Sequence, residues 1–231
     1  SLLYPMFVMN NEIINIDVED VEYVLLKAET SFNIEFADCE LSHVSTFGEL
    51  YDSIAAKIQL AHSDNCTSLQ AFYKFREAVS ETLPIDKTSI SPDTRLTDFL
   101  PRRDRRKRVK EIERYLGFKL NILYPKSWLL IILFIIFSGS FIGLFFHWQT
   151  GLLGLLLSMG GIGLANKTGN ELNLKTAGDV AEKMTREHYL KSRRDSNTIN
   201  RKEVENVLKD LFCSELSLSK EQLTRETKLI K

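Results

Sequence analysis

Few side chains in this sequence stand at spacings that support covalent or metal chemistry. Cys39, Cys66 and Cys213 are far apart, form no C-x-x-C pair and have no clustered histidines beside them. That argues against a zinc site or a dithiol motif and for isolated reduced thiols. His43, His62, His147 and His188 are scattered, and no nucleophile elbow, phosphate loop or pair of metal ligands is present. An enzyme is therefore the weakest reading, and neither a metal nor a cofactor is expected. Charge is what the sequence concentrates. Arg102, Arg103, Arg105, Arg106, Lys107, Arg108 and Lys110 form a basic run interrupted by Asp104. Asp17, Glu19, Asp20 and Glu22 form an acidic cluster, with Glu29 and Glu35 further on. The first suits anionic lipid headgroups. The basic run has no aromatic interleaving and no nucleic-acid motif, so no nucleic acid is expected as partner.

These groups stand in a chain of 231 residues, 44 % hydrophobic and 26 % charged, which excludes disorder, collagen and a disulfide scaffold. A net charge of −1 conceals a sharp asymmetry. Residues 1–65 carry 2 Lys/Arg against 12 Asp/Glu, residues 66–126 carry 14 against 8, and residues 167–231 carry 14 against 11. Residues 127–166 carry neither, so the segments have different physical roles.

The uncharged block divides into two apolar runs, Trp128–Phe146 of 19 residues and Trp148–Ala165 of 18 residues. At ~1.5 Å per residue each reaches just under the ~30 Å of a bilayer core. The chain has too little other apolar mass to wrap two helices that are hydrophobic all round, so a transmembrane hairpin is expected over residues 127–166. Gly139 and Gly143 on the first helix and Gly154 and Ser158 on the second are small residues at the spacing of close packing in lipid. The basic run, Lys119 and Lys126 precede the hairpin, and Lys167, Lys175 and Lys183 follow it, while the turn at His147–Gly151 has no charge. The positive-inside rule then puts both flanking parts in the cytoplasm, which suits a bacterial inner membrane with both termini cytoplasmic. His147 reads as a polar turn residue.

The flanking segments share a helical period. Val18, Val21, Val24, Leu25, Ala28 and Phe32 fall on one face of a helix over 17–33, and Asn33–Phe36 is extended. Thr46 opens a second helix with Glu49 completing a capping box. Further helices are expected at 66–83, ended by Pro84, at 102–116, closed by Gly117, and at 176–190 and 201–214. No strand-rich region appears, so the fold class is all-α. Two motifs recur in the same order. Thr46-Phe47-Gly48-Glu49-Leu50 returns as Thr176-Ala177-Gly178-Asp179-Val180, and Ser91-Pro92-Asp93-Thr94-Arg95-Leu96 returns more loosely as Thr224-Arg225-Glu226-Thr227-Lys228-Leu229. A duplicated unit is implied.

The repeated unit resembles the acyl carrier protein family. That family's four-helix bundle has a first helix, a long loop with a Pro-Asp-Thr-x-Leu stretch, a second helix opened by Asp-Ser-Leu, a short Phe-x-Ile-x-Ile segment and a last helix opened by Thr-x-Gly-Asp-Leu. Residues 66–123 resemble the first part of such a unit and 171–192 its last helix, with the hairpin at 127–166 inserted between them. Residues 11–62 resemble a second to last helix, and 198–231 a first helix and loop. These end segments either belong to a fragment of a longer tandem or complete one bundle as a circular permutation. The resemblance implies a phosphopantetheine attachment serine at the start of the second helix. Here that position holds Val18 in one unit and Arg102 in the other, within Pro101-Arg102-Arg103. The expectation is a membrane-anchored, non-catalytic carrier-like interaction module, and the resemblance implies that its acidic face at Asp17, Glu19, Asp20 and Glu22 docks a protein partner with a basic patch. The alternatives are a true acyl carrier whose serine lies beyond Lys231, or an adaptor that binds anionic lipid.

Overall fold

The computed structural model describes residues 18–37 and 40–229. Its architecture is mostly helical. Among the described residues the α-helices are α1 (Val18–Phe32), α2 (Phe47–Lys57), α3 (Thr67–Thr82), α4 (Leu96–Phe99), α5 (Arg105–Leu116), α6 (Ser127–Gly143), α7 (Trp148–Thr168), α8 (Ala177–Glu187), α9 (Tyr189–Ser192) and α10 (Arg201–Leu216). Among the described residues four strands have two residues each: β1 (Ala61–His62), β2 (Leu123–Tyr124), β3 (Glu171–Leu172) and β4 (Thr198–Ile199). β1 pairs parallel with β4, and β2 pairs antiparallel with β3. Two-residue strands are too short to show an alternating period, so the sequence carries no sign of them.

The chain forms two compact units, one from residues up to Ala71 with those from Ala181 onward, the other Phe72–Val180. In the first, Val24, Ala28 and Phe32 of α1 share a core with Phe47, Leu50 and Ile54 of α2 and with Leu208, Leu211 and Phe212 of α10. The Phe47 and Phe212 rings meet edge to face at 5.6 Å. Elements from the two ends of the sequence thus bury one apolar surface. Arg193 is fully buried beside this core and donates to the Thr67 hydroxyl at 2.6 Å, the Asn65 carbonyl at 3.2 Å and the Thr198 hydroxyl at 3.3 Å. The Glu203 carboxylate, which accepts the Thr67 N–H at 3.1 Å, supplies nearby negative charge. In the second unit Phe75 and Val79 of α3, Phe99 and Leu100, and Val109 and Ile112 of α5 are buried.

Each unit is closed by the same set of backbone bonds. In the first, the N–H groups of Phe47 and Gly48 donate to the carbonyls of Thr227 at 2.9 Å and Arg225 at 2.8 Å, and Leu229 N–H donates to Ser45 O at 3.0 Å. In the second, Ala177 and Gly178 donate to Thr94 at 2.9 Å and Pro92 at 2.8 Å, and Leu96 donates to Lys175 at 2.9 Å. The third helix residue is capped alike: Glu49 N–H donates to Thr46 Oγ1 at 3.3 Å and Asp179 N–H to Thr176 Oγ1 at 3.1 Å. The acid returns the bond, with Glu49 accepting from Ser45 and Thr46 and Asp179 from Lys175 and Thr176. Every otherwise orphaned N–H of the first turn is thereby satisfied.

Some boundaries differ from the expected ones. α5 begins at Arg105 rather than Arg102, because Asp104 N–H closes a turn on the carbonyl of Pro101. The loop before it contains α4, whose Leu96 and Phe99 are buried. The expected 176–190 helix breaks at His188 between α8 and α9.

The clasp explains the glycine. A Cβ on Gly48 would lie 2.8 Å from the carbonyl oxygen of Arg225, against 3.1 Å between Gly178 and Pro92 O. Gly48→Ala is expected to cost about 1–3 kcal/mol, read as a lower urea midpoint of the chain in detergent, and Gly178→Ala less. The clasps are also acid-sensitive. The N–H groups of Ser45 and Thr46 hold the Glu49 carboxyl below its ordinary value. Burial pushes Asp179 up, but the N–H groups of Lys175 and Thr176 bring it below its ordinary value. A carboxyl with a depressed folded pKa contributes stability above its unfolded pKa, and that stability is lost as pH falls through the folded one. The E49Q/D179N variant should be less stable than the parent at neutral pH and lose less stability on acidification below the ordinary carboxylate range.

Candidate membrane-facing site

The uncharged block folds as α6 and α7 lying against one another. α7 has 21 residues and is long and apolar enough to cross a membrane. α6, with 17 residues, ends at Gly143, three residues before the end of the apolar run, where Phe145 and Phe146 donate to Ile142 and Gly143 in tight turns. The outward faces carry large apolar side chains: Phe134 is 66 %, Leu157 66 % and Phe145 81 % exposed.

The face of α7 toward α6 is a line of small residues. Gly151, Ser158 and Ala165, seven apart, are buried, and Gly154 and Gly161 fall between them. A Cβ on Gly151 would lie 2.6 Å from Leu144 N, one on Gly161 would lie 2.8 Å from Leu133 Cδ2, and one on Gly154 would collide with the Ser140 side chain. This is a three–four alternation with glycine or another small residue at every seam position. Of the four packing residues read from the sequence, Gly154 and Ser158 lie in this seam, and a Cβ on Gly143 would lie 3.8 Å from Gly151 Cα. Gly139 faces open space, as do Gly160 and Gly163. The heptad spacing of 151, 158 and 165 is the signal that finds the seam in the sequence.

The base of the hairpin is closed by the β2–β3 pair, Leu123 opposite Leu172 and Tyr124 opposite Glu171. Gly169 permits it: a Cβ there would lie 2.5 Å from the carbonyl carbon of Tyr124 and 2.7 Å from Pro125 N. The basic run meets the same place. Arg105 is buried and donates to the carbonyls of Leu100 at 3.0 Å and Asn170 at 2.5 Å. Arg106 donates to Lys167 O at 2.8 Å, at the carbonyl end of α7, where a cation also suits the helix dipole. Arg102 pairs with Glu171 at 2.5 Å, and Asn170 Nδ2 donates to Arg102 O at 2.8 Å. Arg108 donates to Phe99 O at 2.8 Å. Arg103, Lys107 and Lys110 are exposed. The run read as one headgroup surface is thus divided between internal clamps and outward charges.

The other sequence-selected residues lie elsewhere. Glu19, Asp20 and Glu22 are exposed on the first turns of α1, while Asp17 falls outside the described residues. Glu29 is committed internally, accepting Phe36 N–H at 2.7 Å, as Glu113 accepts Leu120 N–H at 2.8 Å in the other unit. Val18 opens α1 by its backbone, its side chain lying outside the described part. His147 precedes α7, with its carbonyl accepting Gly151 N–H at 3.0 Å.

Replacing a seam glycine by a branched residue should separate the two helices. Gly154→Ile is expected to lower the thermal midpoint of the chain in detergent by several degrees, an overpacking cost of about 1–3 kcal/mol. Gly160→Ile, one turn and a half away on the open face, should leave it nearly unchanged.

No protein-family model, no curated protein and no solved structure matches the chain.

Proposed function

We propose that this chain is a membrane-anchored, non-catalytic interaction module built from two acyl-carrier-like helical units, one of them carrying the α6–α7 hairpin as a two-helix anchor in a bacterial inner membrane. The observation that carries the reading is the hairpin itself: forty residues without a charge, from Ser127 to Asn166, with outward aromatic and aliphatic side chains and a strand-paired base. In water, so large an apolar surface would be a liability, whereas in lipid it is the favoured state. The base brings both legs back to one side, which suits cytoplasmic placement of both helical units under the positive-inside rule.

Carrier-like order supports the nature of the units. Each has a long helix, a loop that clasps a Thr-x-Gly-acid helix start, and a helix followed by a short extended segment. Neither attachment position holds a hydroxyl, since Val18 and Arg102 occupy them, and the Arg102 side chain is paired with Glu171. The module then acts by docking, with Glu19, Asp20 and Glu22 as the exposed face for a partner carrying a basic patch.

Two measurements test this reading. The chain should remain in the membrane fraction after alkaline carbonate washing, and in intact cells a membrane-impermeant thiol reagent should label a Gln149→Cys variant but not the exposed native Cys66. Release by carbonate, or labelling of Cys66 from outside, would overturn the anchor or its orientation. The intact mass after co-expression with a broad-specificity phosphopantetheinyl transferase should be unchanged. A phosphopantetheine adduct would make the protein an acyl carrier using another serine.

A further inference from the structure

We propose that Lys107, Lys110 and Arg114 on the outward face of α5, with Arg103 in the turn before it, form a contact for the anionic headgroups of the bilayer that the hairpin enters. This deepens the membrane-anchor reading and rests on it. Lys107, Lys110 and Arg114 follow one another at intervals of three and four, so they share the helix face opposite Arg105, Val109, Ile112 and Leu116, which are buried, and Arg103 lies in the turn that leads into the helix. All four are exposed. The remaining cations of the run are already committed: Arg102 to Glu171, Arg105 to Leu100 and Asn170, Arg106 to Lys167 and Arg108 to Phe99.

Those commitments also fix where the stripe begins. Arg106 and Arg105 hold the carbonyls of Lys167 and Asn170, so the first turn of α5 is joined to the end of α7, where its apolar run stops. Four unpaired cations, three of them on one face of α5, beside a helix leaving lipid complement a negative surface, and their attraction falls off within a Debye length. Glu111, four residues after Lys107 and three before Arg114, flanks the stripe and offsets part of its charge, and Glu113 is held by Leu120 N–H, so the face keeps a net positive charge.

The test uses the full chain reconstituted in phosphatidylcholine bilayers with a trace of spin-labelled phosphatidylglycerol or spin-labelled phosphatidylcholine. The motionally restricted fraction of each label gives the preference for the anionic lipid. A preference of about five-fold is expected, screened toward unity by high salt, and mostly lost in R103Q/K107Q/K110Q/R114Q. The charge-keeping R103K/R114K variant should retain it, which separates loss of charge from loss of fold. The inference is overturned if the glutamine variant keeps the full preference, if the parent shows none, or if Lys107 and Lys110 instead crosslink to Glu19 and Glu22 of a second copy with the lipid preference absent. Failure of the chain to float with phosphatidylcholine vesicles would overturn the anchor reading itself, whereas flotation without lipid preference overturns this inference alone.

Discussion

Both helical units depend on how the first turns of α2 and α8 satisfy backbone donors that no helix can satisfy for itself. Four N–H groups at each start, counting that of the cap residue, are orphaned by helix geometry. Here two are taken by carbonyls of a distant loop and the third by a threonine hydroxyl, with an acid returning bonds to the residues before the helix. The arrangement dictates residue types. The second helical position is glycine where a loop carbonyl lies 2.8 or 3.1 Å from the place of its Cβ, the cap carries a hydroxyl, and the third position carries a carboxylate that accepts two N–H groups. The partner loop is constrained as well: Ser91 and Thr224 each donate their N–H to the hydroxyl of a threonine three residues on, at 2.8 Å. The likeness of the two units therefore lies in bonds more than in side chains, and the core residues around each clasp differ freely.

A clasp made of backbone bonds is indifferent to the length of chain between its halves. In the second unit it joins Thr94 to Ala177 across the whole hairpin, and in the first it joins Phe47 to Thr227 across nearly the whole chain. Loop closure makes this affordable, since each doubling of loop length costs only about 0.6 kcal/mol. An insertion is tolerated where its two ends are held together, and β2–β3 with Gly169 does that at the root of the hairpin. The hairpin thus enters the unit at a point that the clasp does not use.

Periodicity and caps made most of the helices legible. The 3.6-residue spacing located α1, α3 and α10, the capping box located α2, and Gly117, with φ of 79°, marked the end of α5. Features set by tertiary closeness were not legible. Two-residue strands have no period, and α4 is a single turn held by the burial of Leu96 and Phe99. Arg193 looks like half of an ordinary surface Arg-Arg pair until the acceptors of residues 65, 67 and 198 surround it. The basic run shows the same limit. Its sign is plain from composition, but which cations are free depends on the carbonyls of Leu100, Lys167 and Asn170, which no spacing in the run reveals.

In the proposed anchor, the unequal lengths of α6 and α7 bear on where the turn between them sits. At ~1.5 Å per residue α6 spans roughly 26 Å and α7 roughly 32 Å, against a hydrocarbon core of ~30 Å. With the two legs tied at their base, the residues after Gly143 must make up the difference in irregular backbone. In hydrocarbon every N–H there needs a partner. Leu144, Phe145, Phe146 and His147 each have one, donating to Ser140, Ile142, Gly143 and again Gly143 at 2.9–3.1 Å. The side of the turn that follows α6 therefore needs no partner from solvent. α7 opens differently, since His147 gives it no side-chain cap, and the first N–H groups of that helix require water or headgroups. On the proposed anchor, the polar stretch His147–Thr150 and the indole of Trp148 would meet the interface at the start of α7, with Phe145 and Phe146 below it.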